Sequence, residues 1–105
     1  MKVSVVDIGS NAVRCTFYGL ENSHHDEILL KKLSYVRLPI RLGADVFVNG
    51  KISDRKYRKL LNMALAFKHL CLIHEVTDYR LVATSAMREA ENGSEVMERI
   101  FKESD

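Results

Sequence analysis

One segment constrains the architecture more than any other. Tyr57, Leu60, Leu61, Ala64, Leu65 and Leu72 recur at helical spacing, the signature of a helix with one apolar stripe. Ser53 is suited to cap its start, and Asp54 complements the positive end of the helix dipole. The spacing therefore predicts a helix from about Ser53 to His74. Three strand-like runs precede it. Val3 to Ile8 is short, apolar and β-branched, and reads as a strand buried on both faces. Ala12 to Gly19 is rich in β-branched and aromatic residues, and Gly9-Ser10-Asn11 between the two runs is a hairpin signal. Ile28 to Leu38 makes a third, longer strand that ends at Pro39, where a missing N–H is tolerated. Tyr79 to Ala83 follows the long helix as a fourth strand. Three antiparallel strands, a helix and a returning parallel strand describe a mixed sheet.

The remaining segments are shorter. Arg41 to Lys51 has glycine near both ends and no clear period, and reads as an ordered loop. Ala86 to Glu91 has high helix propensity, and Asn92-Gly93 stops that helix. Asn92 with Glu95 resembles a capping box for a last helix over Ser94 to Lys102.

Composition narrows the function classes. The 105 residues suffice for one domain with a modest core, and 47% hydrophobic with 29% charged residues is ordinary globular usage. A net charge of +2 gives no argument for nucleic acid or an anionic membrane as partner. No apolar run approaches the roughly 20 residues of a membrane span, and the N-terminus shows no signal-peptide pattern. The expected location is the cytoplasm. Cys15 and Cys71 form no CxxC pair and are expected to be buried reduced thiols.

Chemistry concentrates in D-I-G-S-N-A-V-R, Asp7 to Arg14. A plain hairpin would need only the glycine and two small polar residues. Here a carboxylate ends an apolar strand, where burial is costly without a partner or a cation. The N–H groups of Gly9, Ser10 and Asn11 can converge on an anion, and Arg14 offers a bidentate phosphate contact. An acid able to hold Mg²⁺ through water, beside a phosphate-cradling loop, suits phosphoryl transfer. A second concentration is A-T-S-A-M-R-E-A, Ala83 to Ala90. A strand gives way to a helix at Thr84-Ser85, the kind of place where ligands bind. Arg88 falls in the first turn of that predicted helix, where a cation opposes the dipole unless it pairs with Glu91, Glu95 or a ligand.

With R-L-G at Arg41 to Gly43, these stretches carry a resemblance. In order, D-I-G-S-N-A-V-R, R-L-G, N-G-K-I-S and V-A-T-S-A-M-R-E-A-E-N-G resemble the exopolyphosphatase / guanosine pentaphosphate phosphohydrolase (Ppx/GppA) family. That family belongs to the actin-like ATPase superfamily. The resemblance implies an α/β, actin-like (ribonuclease H-like) domain with a mixed sheet in the order β-β-β-α-β-α-α. Residues 1–105 would be the N-terminal segment of an incomplete first domain. It implies hydrolysis of terminal phosphoanhydrides of polyphosphate or guanosine pentaphosphate, with Mg²⁺, by a homodimeric parent protein. Asp7 would help place the metal, and Gly9, Ser10, Asn11 and Arg88 would bind phosphate, with Arg14 and Arg41 as further candidates. Ala12 stands where the family usually has Ser or Thr, which removes one hydroxyl. The family's catalytic glutamate and second glycine-rich loop have no match here, so no catalytic base is expected among these residues and the chain alone is expected to be inactive. The alternative is a binding module for phosphate chains or nucleotide without hydrolysis. Kinases and ATPases of the superfamily usually carry threonines after the D-x-G, unlike Ser10-Asn11.

The other candidates read as structural. His24 and His25 share a strand-connecting turn and are expected to be exposed. His69 and His74 lie five apart, off the i, i+4 spacing of a metal pair. The basic run Lys51 to Lys59 reads as a solvated helix face that a phosphate-rich substrate could use. Phe47 and Val48 are expected either in the core or at a contact.

Overall fold

The computed structural model describes residues 1–22 and 27–104. His24 and His25 lie outside the described residues. Strands β1 (Lys2–Ile8) and β2 (Val13–Asn22) form the expected hairpin, with Asp7 opposite Arg14 and Ile8 opposite Val13. Strand β3 (Ile28–Leu38) pairs antiparallel with β2. Strand β4 (Asp78–Ala83) pairs parallel with β1, so the mixed sheet runs β3-β2-β1-β4. The β2–β3 ladder continues past the start of β1 as a two-stranded arm, ending at Asn22 opposite Ile28.

Among the described residues, α1 (Leu42–Asn49) and α2 (Asp54–His74) lie between β3 and β4, and α3 (Ser85–Glu89) and α4 (Gly93–Ser104) follow β4. The long helix has the bounds the periodicity predicts but not the full stripe: Leu65 and Leu72 are exposed, whereas Met63 and Phe67 are buried. The Ser53 hydroxyl accepts from the Lys56 N–H, and Glu75 ends the helix in the left-handed region at φ 57°. Its stripe of Tyr57, Leu60, Met63 and Phe67 packs on Val6, Ile8, Val13, Cys15 and Phe17 of the sheet, joined by Val96 and Ile100 of α4. Phe17 stacks on His74 at 4.5 Å, and His74 hydrogen-bonds Ser34 at 3.1 Å, which gives His74 a structural position. The Tyr57 hydroxyl donates to Glu103 while Arg99 lies over its ring, tying α2 to α4.

Three expectations about the fold need correction. The segment after Arg41 is a helix, not a loop. Leu42 and Val46, one turn apart, are buried, and Gly50 closes the helix at φ 74° by donating its N–H to the Val46 carbonyl. Phe47 and Val48, at 58% and 80% exposure, blur the apolar period that would have announced it. Strand β1 is fully buried on one face only. Ser4, Val6 and Ile8 are covered, whereas Val3, Val5 and Asp7 on the other face are half-buried, because the core cluster draws only on the first face. The capping box at Asn92 does not form: its side-chain amide pairs with the backbone of Ile52, accepting from the N–H and donating to the carbonyl, both at 2.9 Å. Cys15 is buried as expected, and burial pushes its thiol up to about 11, whereas Cys71 is only partly covered.

Candidate phosphate site at the β1–β2 hairpin

The hairpin end is built by convergence of three motifs. Gly9 donates its N–H to the Ala12 carbonyl at 3.0 Å, which closes the turn. The Ser10 carbonyl accepts from Gly43 N–H at 2.8 Å, and the Asn11 carbonyl accepts from Arg41 N–H at 3.0 Å. The R-L-G stretch thus holds the turn through two backbone hydrogen bonds. Arg41 adopts a left-handed conformation, φ 58°, to enter α1 at the required angle. Gly43 is needed for close approach, since a Cβ there would meet the Ser10 Cβ at 3.2 Å and the Phe47 ring at 3.1 Å. From the other side, the Thr84 N–H and hydroxyl both donate to the Ile8 carbonyl, at 3.0 and 3.2 Å. This brings Ser85 to 3.4 Å from the Ser10 hydroxyl. In the sequence Thr84 and Ser85 show only a strand-to-helix transition. Their closeness to Ser10 depends on the parallel pairing of β4 with β1 and is not written in either motif.

With both loop carbonyls used, the donors are what remain. The N–H groups of Ser10 and Asn11 meet no acceptor among the described residues, whereas that of Gly9 is spent inside the turn. Gly9 therefore shapes the loop, and Ser10 and Asn11 supply its free amides. Asp7 sits just before them. Its Oδ2 is 4.0 Å from an Arg14 guanidinium nitrogen, while its Oδ1 is buried with no hydrogen-bond partner. An orphaned buried carboxylate oxygen is costly unless a cation or donor arrives. The Asp7 side chain is 39% exposed, so a turn of the carboxylate would present an oxygen to Mg²⁺, which commonly takes one or two carboxylates and completes its shell with water and phosphate. Among the described residues no cluster of three or more metal-binding side chains exists.

The arginines differ in setting. Arg14 is next to Asp7 across the hairpin. Arg41 has its backbone on the loop and its side chain exposed. Arg88 lies in the last turn of the short α3, not the first, so the expected conflict with the helix dipole does not arise. Neither Glu91 nor Glu95 pairs with it: Glu91 is 3.7 Å from Lys51, and the Arg88 guanidinium has no partner among the described residues. Ala12 is buried. Within the basic run, Lys56 bonds the Ile40 carbonyl at 2.6 Å, and Arg55, Arg58 and Lys59 are exposed. An apolar cavity of about 410 Å³ beside β4, lined by Val6, Phe67, Leu81 and Ile100, shares no residue with the hairpin turn.

Comparison with known proteins places the whole arrangement. A model of the Ppx/GppA phosphatase family matches residues 22–105. The chain belongs to the Ppx/GppA phosphatase family. The family model begins within β2, beyond the hairpin turn, but pairwise relatives take that turn in. Exopolyphosphatase 1 of Mycobacterium tuberculosis (strain ATCC 25618 / H37Rv) is 29% identical over 103 residues, 98% of this chain and 29% of that protein. Exopolyphosphatase 1 of Mycobacterium leprae is 28% identical over the same length. Among solved structures, a Ppx/GppA family member from Aquifex aeolicus is 27% identical with a TM-score of 0.89, covering 99% of this chain and 32% of that one. An exopolyphosphatase from Cytophaga hutchinsonii, 22% identical, shares the fold at a TM-score of 0.86, covering 99% and 32%. The actin-like mixed sheet is thus the fold of this Ppx/GppA segment, and the chain spans about 29% of the length of the curated relatives it matches.

Proposed function

We propose that these residues form the phosphate-binding wall of a Ppx/GppA hydrolase that cleaves terminal phosphoanhydrides of polyphosphate or guanosine pentaphosphate. The observation that carries this reading is the unbalanced chemistry of the hairpin: among the described residues, two backbone donors meet no acceptor, and a buried oxygen of Asp7, at the end of the strand that leads into them, meets no donor. A terminal phosphate bound there would receive the Ser10 and Asn11 amides, with Arg14, Arg41 and Arg88 as charged neighbours. Asp7 would hold Mg²⁺, which supplies charge neutralisation at the phosphate oxygens when bound. Amides fixed by the Arg41 and Gly43 hydrogen bonds need no reorganisation as charge develops on the phosphate. These residues would form the start of the first of the parent protein's domains, and a homodimer is the assembly the family resemblance suggests.

Three carboxylates of these motifs already face a partner. Asp45 accepts from the Ser53 hydroxyl at 2.7 Å, Glu91 faces Lys51, and Asp7 faces Arg14. We place the general base outside these residues, as the family resemblance implies, and expect the segment alone to bind without turnover. The same observation favours the second reading, a binding module for phosphate chains without hydrolysis.

Phosphate release by the full-length protein from long-chain polyphosphate and from guanosine pentaphosphate, with Mg²⁺ and after chelation, tests the assignment. Release that needs Mg²⁺ and is lost in Asp7→Ala is expected. Binding without release would favour the module, and neither binding nor release would contradict both.

A further inference from the structure

The row of side chains that starts at Asp7 continues across the open face of the sheet. Arg14 lies directly opposite Asp7 on β2, and Arg37 lies directly opposite Arg14 on β3. Opposed residues on antiparallel strands share a face with Cβ atoms about 5 Å apart, and like charges in that relation destabilise the pair. One acid serves the row. It is Asp7, at 4.0 Å from Arg14, while the exposed Arg37 side chain has no ion pair or hydrogen bond with any described residue. Arg80 makes the contrast: on the same face of β4, it has its own acid, Asp78, at 3.6 Å. Arg14 and Arg37 are thus cross-strand neighbours that share one described acid, and the phosphate loop begins two residues beyond Asp7.

We propose that Arg14 and Arg37 form a second anion subsite, which takes an inner phosphate of a phosphoanhydride chain whose terminal group lies on the Ser10–Asn11 amides. The proposal rests on the phosphate-binding reading of the hairpin and extends it to a residue outside the hairpin motif. Two strand spacings, about 10 Å, separate β1 from β3, a span that one arginine side chain and a short run of phosphates can bridge. Guanidinium forks match phosphate oxygens in pairs, and the bound anion removes the repulsion between them. The subsite would thus favour chains over single phosphate ions.

The test is calorimetric binding of orthophosphate, of a non-hydrolysable imido-tripolyphosphate and of an imido analogue of GTP to the full-length protein with Mg²⁺. Wild type is compared with Arg37→Gln, Arg37→Lys and, as a control on the same face, Arg80→Gln. Arg37→Gln is expected to weaken the imido-tripolyphosphate about tenfold and leave orthophosphate unchanged. Arg37→Lys should fall between, and Arg80→Gln should match wild type. An equal loss for the nucleotide means that the subsite reads phosphate whatever carries it. A loss for the free chain alone assigns the subsite to inorganic chains. Wild-type binding by Arg37→Gln, an equal loss in Arg80→Gln, an equal loss for orthophosphate, or a loss for the nucleotide alone would overturn the subsite and leave the loop reading standing. If wild type binds none of the three, the loop reading itself is wrong and the subsite falls with it.

Discussion

Two junctions in this molecule are made from motif residues, and they balance their polar groups in opposite ways. At the lower junction, between the end of α1 and the start of α4, the polar groups find one another. Asn92 pairs its amide with both backbone groups of Ile52, Glu91 N–H donates to the Gly50 carbonyl at 2.8 Å, and Asp45 accepts from the Ser53 hydroxyl while Ser53 caps α2. At the hairpin, the same kind of residues leave a surplus among the described residues: amides of Ser10 and Asn11 without an acceptor, an orphaned oxygen on Asp7, and arginines with little or no counter-charge. Of these groups only the Asp7 oxygen is buried, and a buried polar group without a partner needs a reason. A junction that satisfies itself holds the fold. A junction held rigid from outside while its own donors stay free is prepared for a ligand.

This contrast can be broken by substitution. The largest expected effect is at Gly93, where a Cβ would lie far inside the contact distance of the Met87 carbonyl oxygen. Gly93→Ala should cost about 3 kcal/mol through forced backbone movement, read as a fall in Tm by circular dichroism. Asn92→Ala strands the Ile52 N–H and carbonyl and should cost about 2 kcal/mol in denaturant titration. Phosphate affinity should survive in the fraction that folds. Asp7→Asn should behave in reverse: stability within about 0.5 kcal/mol of wild type, but no dependence of phosphate binding on Mg²⁺, measured by calorimetry with and without chelator. A large loss of stability in Asp7→Asn would make the hairpin acid structural and erase the contrast.

The smallest effect at neutral pH comes from the core between the junctions. Burial pushes the Cys15 thiol up to about 11 from its ordinary 9.0, and burial also raises Cys71. The folded state therefore holds the Cys15 proton more tightly than the unfolded chain. That contribution is fully present below pH 9 and is lost as pH rises toward 11. Tm measured across this range should decline in wild type and decline less in Cys15→Val.

Much of this arrangement was legible in the sequence, and the gaps have physical causes. The strands announce themselves as β-branched runs and the long helix by Tyr57, Leu60 and Leu61 at helical spacing, although its buried stripe runs on through Met63 and Phe67. Helix α1 escaped because Gly43 looks like a break but is there for close approach to Ser10, and because Phe47 and Val48 point an apolar signal at solvent. Asn92 was read as a cap because its preferred role is local, whereas a partner 40 residues away claimed its amide. Arg88 drew notice from its place in the chain, yet the short helix puts it in a favourable turn. The chemistry of Asp7 to Arg14 could be read from residue types. Which amides stay free could not, because that depends on Arg41 and Gly43 docking from a distant segment. Arg37 gave no signal at all, since its significance is a matter of strand register.

The most direct test of this contrast is an amide-resolved NMR titration of the protein with Mg²⁺ and imido-tripolyphosphate. Resonances of Ser10 and Asn11 should shift most, while Gly50, Ile52, Glu91 and Asn92 stay in place. Shifts centred on the lower junction, or a hairpin that does not respond while the protein binds, would contradict the division between a satisfied structural junction and one held open for phosphate.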